Sequence, residues 1–428
     1  MKKIIALLLC FIFILPLSSC REEEEGTPKY VFMFVGDGMG MSAVSLTEYA
    51  GIDLSFNDFD TFGLVTTHNL SSEITDSASA ATAFSSGEKT KSHYVGLDGN
   101  GKKVKTLTDF FKARGMKVGL VSSQAVNHAT PAAFYAHNKS RYNYYEIGLD
   151  FCKSKIDLFA GAGFLEPDGE EGNLYELSEG KTVTAEEGYL PFEIDRAPFD
   201  RSLSDYLELT VEELYSEDGF FIMCEGGRID SACHMNDAYT ALCEIEAFDD
   251  AVKVALEFYE EHPQDTLIIV TADHETGGLT LGYNVTEYEM YPEVLSKQKI
   301  SYSRFENEYV SVYREKQPDL DSVMGDIAYL FGLGDLTSYE KELLSHAYEL
   351  TKAGTGAYTT RDWVDFSDKT PLTVQVLRIL SHRAGVDFTT FYHTATPVGL
   401  WAKGAKAHTF GGAYDNTDIY EKIVEVCS

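Results

Sequence analysis

The stretch Ile74 to Ala83, ITDSASAATA, sets Asp76 and Ser77 ahead of side chains almost too small to pack. A run of Ala, Ser and Thr can form a helix that lets other atoms approach closely. Ser77 would then stand at or near its N-terminus, where unpaired N–H groups and the helix dipole favour an anion. A serine hydroxyl is a weak nucleophile until a base or a metal stabilises its alkoxide. No Ser-His-Asp constellation or GxSxG elbow is visible, which makes metal activation the better proposal.

Donors for a metal occur where apolar runs end: FVGD at Asp37, MCEGGRID at Glu225 and Asp230, and VTAD at Asp273 with His274 adjoining. Carboxylates gathered at one place repel each other and resist ionising unless a cation neutralises them. Asp230 and His234 share one face if a helix starts there. Oxygen ligands with a few imidazoles suit Zn²⁺ in a catalytic site and Mg²⁺ in an all-oxygen site. Each feature alone has an ordinary explanation. Asp37 in GDGMG is good turn chemistry, Asp230 and His234 suit a helix cap and a surface histidine, and Asp273-His274 or Asp76-Ser77 can cap the element that follows. Together these explanations require several independent accidents at one edge of a sheet.

The elements that must position these groups alternate between strand and helix. KYVFMFVGDG (Lys29 to Gly38), KVGLVSS (Lys117 to Ser123), GFFIMCEGG (Gly219 to Gly227) and DTLIIVTADHE (Asp265 to Glu275) are runs suited to strands buried on both faces of a largely parallel sheet. TLTDFFKARG (Thr106 to Gly115) and Asp237 to Glu261 read as helices. The class is α/β, a largely parallel central sheet flanked by helices, and in such sheets ligands bind beyond the carboxyl ends of the strands. No Pro/Gly/Ser linker divides the chain, so residues 29–428 read as one catalytic domain. Its largest insertion, about 281–391, is mostly helical, with a capping-box pattern at Thr337 and Glu340 and an N-cap-then-proline pattern at Thr370-Pro371. The aromatic stretch ISYSRFENEYVSVY within it suits a rim over the site, a subunit contact or plain amphipathic packing.

Residues 1–20, MKKIIALLLCFIFILPLSSC, carry two lysines, an apolar run from Ile4 to Leu15 and a small-residue approach to Cys20. A membrane span needs roughly twenty apolar residues, so this is a signal peptide, and its end resembles a bacterial lipobox with Cys20 as the lipidated residue. The expectation is an exported protein, periplasmic or at the cell surface, anchored by lipid through Cys20, with 21–28 as an acidic linker. Five cysteines after the signal, Cys152, Cys224, Cys233, Cys243 and Cys427, are too few for a disulfide scaffold. A formal charge of −33 argues against binding nucleic acid.

The motifs together resemble those of the alkaline phosphatases: VGDGMG around Asp37, TDSASAATA around Ser77, NHATPAAFYAHNKSR from Asn127 to Arg141, EGGRIDSACH from Glu225 to His234, TADHE at Asp273-His274, and HT at His393-Thr394, in the family's order. The resemblance implies hydrolysis of phosphate monoesters through a phosphoserine, with two Zn²⁺ and one Mg²⁺. It implies Asp230, His234 and His393 on one zinc and Asp37, Asp273 and His274 on the other. Asp37 would also reach magnesium, with Thr130 and Glu225. Ser77 becomes the nucleophile and Arg141 the phosphate clamp, with Asp76 and His128 behind them. Of two late His-Thr pairs, the resemblance favours His393, before the apolar run VGLWAKG, and puts His408 near the site mouth. The chain departs from the pattern at Ser231 and Thr276, where many members carry other residues, which bears on the third metal. Family members are frequently homodimers. A phosphodiesterase of the same superfamily and a non-catalytic binding lipoprotein remain as alternatives.

Overall fold

The computed structural model describes residues 26–185 and 188–428. The expected signal segment and Cys20 lie outside the described residues. Nine strands form the central sheet: β1 (Tyr30–Gly36), β2 (Thr61–Thr66), β3 (Lys117–Ser122), β4 (Leu158–Gly161), β5 (Thr182–Thr184), β6 (Phe220–Gly226), β7 (Thr266–Ala272), β8 (Val398–Gly404) and β9 (Gly412–Asp415). Their spatial order is β9-β2-β8-β7-β1-β6-β3-β4-β5. Every neighbouring pair is parallel except those of β8, which runs against β2 and β7.

The centre of the sheet explains why those apolar runs lack alternation. β1, β6 and β7 are buried at every position, so both faces demand apolar side chains. Gly36 pairs with Gly226 on one side and with Ala272 on the other. Three strands therefore end level with one another. The chain issues Asp37, Gly227 and Asp273 from a single edge, with Glu225 one pairing step inside it.

Three helical segments bring Ser77, Thr130, Asp230 and His234 to that edge, and a fourth packs beneath the sheet's core. Helix α1 (Ser77–Ser86) is buried at every residue, which only side chains as small as its Ala, Ser and Thr allow around a single Phe. Asp76 caps it by accepting from the Ser79 N–H, and Gly87 ends it at φ 76°. The short turn α2 (Ala129–Ala132) carries Thr130. Helix α3 (Arg228–His234) starts directly after β6 and bears Asp230 and His234 one turn apart. The long α4 (Ala238–Glu261) buries Leu242, Ile245, Phe248, Val252 and Ala255 on one face.

The insertion leaves and re-enters at one place, because Leu279–Leu281 pairs antiparallel with Val386–Phe388. Between those strands stand helices that include Leu320–Phe331, Ser338–Ala353 and Pro371–Ala384. The capping box forms: Thr337 Oγ1 accepts from the Glu340 N–H at 3.2 Å and Glu340 Oε2 from the Thr337 N–H at 2.7 Å. Thr370 is the N-cap before Pro371, but its side chain makes no cap bond. In ISYSRFENEYVSVY, Phe305, Val310 and Tyr313 turn inward to the main core, which is the ordinary packing role. Cys152, Cys224, Cys233, Cys243 and Cys427 are all unpaired.

Candidate active site

The site is assembled around the turn after β1. Gly38, at φ 72°, lets the chain double back so that its N–H donates to Asp273 Oδ1 at 3.0 Å. A Cβ there would stand 2.8 Å from Asp230 Oδ1, so both the conformation and the space require glycine.

Three groups of donors converge, each with its ligand atoms within 4.8 Å of one another: Asp230 with His234 and His393, Asp37 with Asp273 and His274, and Asp37 with His128 and Glu225. Asp37 belongs to two of them. In the first, His234 Nε2 lies 3.2 Å from Asp230 Oδ2, His393 Nε2 lies 3.7 Å from Asp230 Oδ1, and the two Nε2 atoms are 3.1 Å apart. In the second, His274 Nε2 is 3.2 Å from Asp273 Oδ2 and 3.5 Å from Asp37 Oδ1. Thr130 is buried beside Glu225, whose other oxygen accepts from Ser122 Oγ. His393 is delivered by a two-residue strand pair, Thr276 opposite His393.

His408 is elsewhere. Because β8 runs antiparallel, its first residues pair with the end of β7 while Gly404 pairs with Leu267 at the start of β7. The expectation that His408 lies near the site mouth is therefore corrected: it follows β8 at the opposite edge of the sheet.

Ser77 sits where the second group meets the N-terminus of α1. Its Oγ is 3.1 Å from His274 Nε2 and 3.5 Å from Arg141 Nη1. Arg141 is held from two sides, by Asp76 Oδ2 at 3.6 Å and by His128 Nε2 at 3.2 Å. Burial, then the neighbouring guanidinium, pushes His128 down to about 3, so its neutral ring can accept from Arg141. His274 is no triad base. A triad aspartate holds the far nitrogen of the ring, whereas Asp273, Asp37 and Ser77 all crowd the same Nε2.

Both Asp37 oxygens, Asp273 Oδ2 and Glu225 Oε1 are buried without a hydrogen-bond donor. Burial, followed by repulsion from Asp273 and Asp230, pushes Asp37 well above the usual carboxylate range. Burial likewise raises Asp273 to about 7 and Glu225 to about 8. Burial would also raise Asp230, but the imidazoles of His234, His393 and His274 outweigh it and hold Asp230 well below that range. Burial pushes His274 well below its ordinary value. Carboxylate acceptors without donors beside imidazole nitrogens form a donor set that a cation completes, so the residues fit divalent metals.

A pH dependence follows for the metal-free protein. Groups with raised folded pKa values lose their stabilising effect as pH rises through those values. Between pH about 7.5 and about 8 the depressed histidines are almost wholly neutral in both states, so Asp37, Asp273 and Glu225 act, with His234, raised overall by Asp230 against its burial, adding the same sign. Stability of the chelated protein should fall across that window. Thermal melts with and without Zn²⁺ and Mg²⁺ check this: metal should remove most of the slope, leaving a smaller one from Glu244, which burial raises to about 7 away from the donor groups.

Sequence reasoning missed three residues here. Ser122 supports Glu225. His93, at φ 70°, donates its N–H to Asp76 Oδ2 at 3.0 Å. Thr276 donates to Asp230 at 2.6 Å. Only Thr276 carried a signal, as a departure from the expected motif.

A sequence model of a family described as alkaline phosphatase matches residues 28–155 and 184–428. Alkaline phosphatase 3 of Bacillus subtilis (strain 168) is 30% identical, the match covering 95% of this chain and 91% of that one. The crystal structure of a cold-active alkaline phosphatase from the psychrophile Shewanella sp. has a TM-score of 0.79 at 29% identity, covering 93% of this chain and 100% of that one. The alkaline phosphatase of the Antarctic bacterium TAB5 gives 0.67 at 27% identity, covering 94% and 98%. Mutants of the TAB5 protein have been solved with Mg bound in a site called M3.

Proposed function

Since the chain belongs to the alkaline phosphatase family and is a phosphatase, we propose that it hydrolyses phosphate monoesters through a phosphoserine at Ser77, at a site for two Zn²⁺ and one Mg²⁺. The observation that carries this reading is the convergence on Ser77 Oγ of a donor-group imidazole, His274 Nε2 at 3.1 Å, and a guanidinium, Arg141 Nη1 at 3.5 Å.

Asp230, His234 and His393 would hold one zinc, and Asp37, Asp273 and His274 the other. Magnesium would be held by Asp37, Glu225 and Thr130. The TAB5 mutants with Mg in the M3 site carry Glu or Asp in place of a histidine, whereas here the His128 imidazole stands beside Asp37 and Glu225 and offers a ligand that transition metals favour. When bound, such ions lower the pKa of a nearby hydroxyl and of water and stabilise a leaving oxygen.

The chain's own residues do the rest. Ser77 Oγ attacks phosphorus, the ester oxygen leaves with its electron pair, and water later releases inorganic phosphate from the phosphoserine. Arg141 offers two parallel N–H groups to two non-bridging oxygens, a fork that lysine lacks. Asp76 and His128 keep that fork aimed. These residues address only the phosphoryl group, so leaving groups should be widely tolerated. Residues 29–428 act as one catalytic domain with the helical insertion inside it.

The test is turnover of p-nitrophenyl phosphate against its bis-ester near pH 9. A monoester preference, loss on chelation and return with Zn²⁺ plus Mg²⁺ support the reading. A diester preference moves the assignment to a phosphodiesterase, and no turnover in folded, metal-loaded protein leaves a binding lipoprotein.

Export and lipid anchoring through Cys20 belong to the same proposal and rest on the sequence. No described helix is long and apolar enough to cross a membrane. Expressed from its full precursor, the Cys20→Ser variant should move from the membrane fraction to the soluble one on an immunoblot. Unchanged partitioning would refute the anchor.

A further inference from the structure

We infer that Thr276 is a positioning residue whose hydroxyl fixes the tautomer of His274 and ties the two zinc donor groups together. Thr276 Oγ1 donates to Asp230 Oδ1 at 2.6 Å and lies 3.2 Å from His274 Nδ1. A hydroxyl has one proton. The Asp230 carboxylate can only accept, so the proton lies on that bond, and towards His274 Nδ1 the Thr276 oxygen can act only as an acceptor, which favours the Nδ1–H tautomer. That leaves the His274 Nε2 lone pair facing Asp37, Asp273 and Ser77, which is where the second donor group needs it.

The other two imidazoles are fixed differently. His234 Nδ1 lies 2.6 Å from the Phe391 carbonyl oxygen and His393 Nδ1 lies 2.8 Å from that of Thr75. A carbonyl can only accept, so each of these rings also carries its proton on Nδ1. His274 alone depends on a side chain, and that side chain is anchored to a ligand of the other group. Thr276 itself is 1% exposed and held by its backbone, its N–H donating to the Gly38 carbonyl at 3.2 Å. Its hydroxyl therefore has little freedom to find another partner.

The inference rests on the two-zinc reading, but both of its readouts are taken without substrate, so its failure is distinguishable from failure of the phosphatase reading. The first readout is the tautomer of His274 in metal-free protein with ¹⁵N-labelled histidine. Nuclear magnetic resonance at pH 8 should find a larger share of the proton on Nδ1 in wild type and in Thr276→Ser than in Thr276→Val, because Asp273 Oδ2, 3.2 Å from Nε2, competes for it in every variant. The second is zinc affinity by competition with a chromophoric chelator, measured in a His234→Ala background, which removes a ligand of the first group and keeps the His393 ring stacked on His274 at 3.6 Å. There Thr276→Val should weaken the remaining site about 10–100-fold, the range for losing a partner behind a metal-binding histidine. Thr276→Ser should leave it near the background value. The inference is overturned if Thr276→Val leaves the His274 proton distributed as in wild type, if Thr276→Val binds zinc as the background does, or if Thr276→Ser is as weak as Thr276→Val.

Discussion

Replacing Ser77 with alanine is expected to lower kcat for p-nitrophenyl phosphate by about 10⁴-fold or more, the scale seen when a covalent nucleophile is removed. The structure makes this substitution clean. Ser77 is the first residue of α1, but the cap is supplied by Asp76, which accepts from the Ser79 N–H. Losing the Ser77 hydroxyl therefore removes no cap. It also removes no member of the three donor groups, so metal content should stay at the wild-type level. KM should change little, because the proposed phosphate contacts come from Arg141. Some turnover should persist, since water can still attack a clamped phosphoryl group beside the metals. Steady-state kinetics with metal analysis on the same sample checks each part. A fall below tenfold would mean that water attacks directly and that no phosphoserine lies on the path.

How much of this was legible in the sequence depends on the length scale of the cause. The strands carrying Asp37, Glu225 and Asp273 were readable because burial on both faces leaves an unbroken apolar run of Val, Ile and Phe. Asp230 and His234 were readable as a pair because helix geometry is local: α3 places them one turn apart and their atoms meet at 3.2 Å. The level ending of three strands was not readable, since register is set by pairing across the sheet. Nor was the reversed direction of β8, since an apolar run such as VGLWAKG carries no mark of whether it runs with or against its neighbours; that direction puts His408 on the side away from the site. The partners of Asp76 were missed for the same reason. His93 is 17 residues away and reaches it only through a left-handed turn that no glycine marks. The roles of Thr130 and His393 came from resemblance alone, because a threonine in a four-residue helical turn and a histidine in a two-residue strand have no local pattern.

The second large effect is expected at Asp37, and it should separate stability from activity. Asp37 alone belongs to two of the three donor groups, so Asp37→Asn should weaken metal at both places and lower kcat/KM by about 10³-fold or more, the several kcal/mol that a catalytic metal supplies. The same substitution should make the metal-free protein more stable at pH 8. The wild-type carboxyl is buried without a donor to either oxygen, and burial with repulsion by Asp273 and Asp230 holds its pKa well above the usual range. Ionising it there is unfavourable to folding, and an amide never ionises. The effect should vanish near pH 4, where the wild-type carboxyl is neutral in the folded state. Melts of chelated wild type and variant across that range, beside kinetics with excess metal, measure both halves. A variant that gains stability without metal and loses turnover with it is the signature of a carboxylate kept for a cation. Retained activity at wild-type metal content would show that Asp37 is not shared between the two groups.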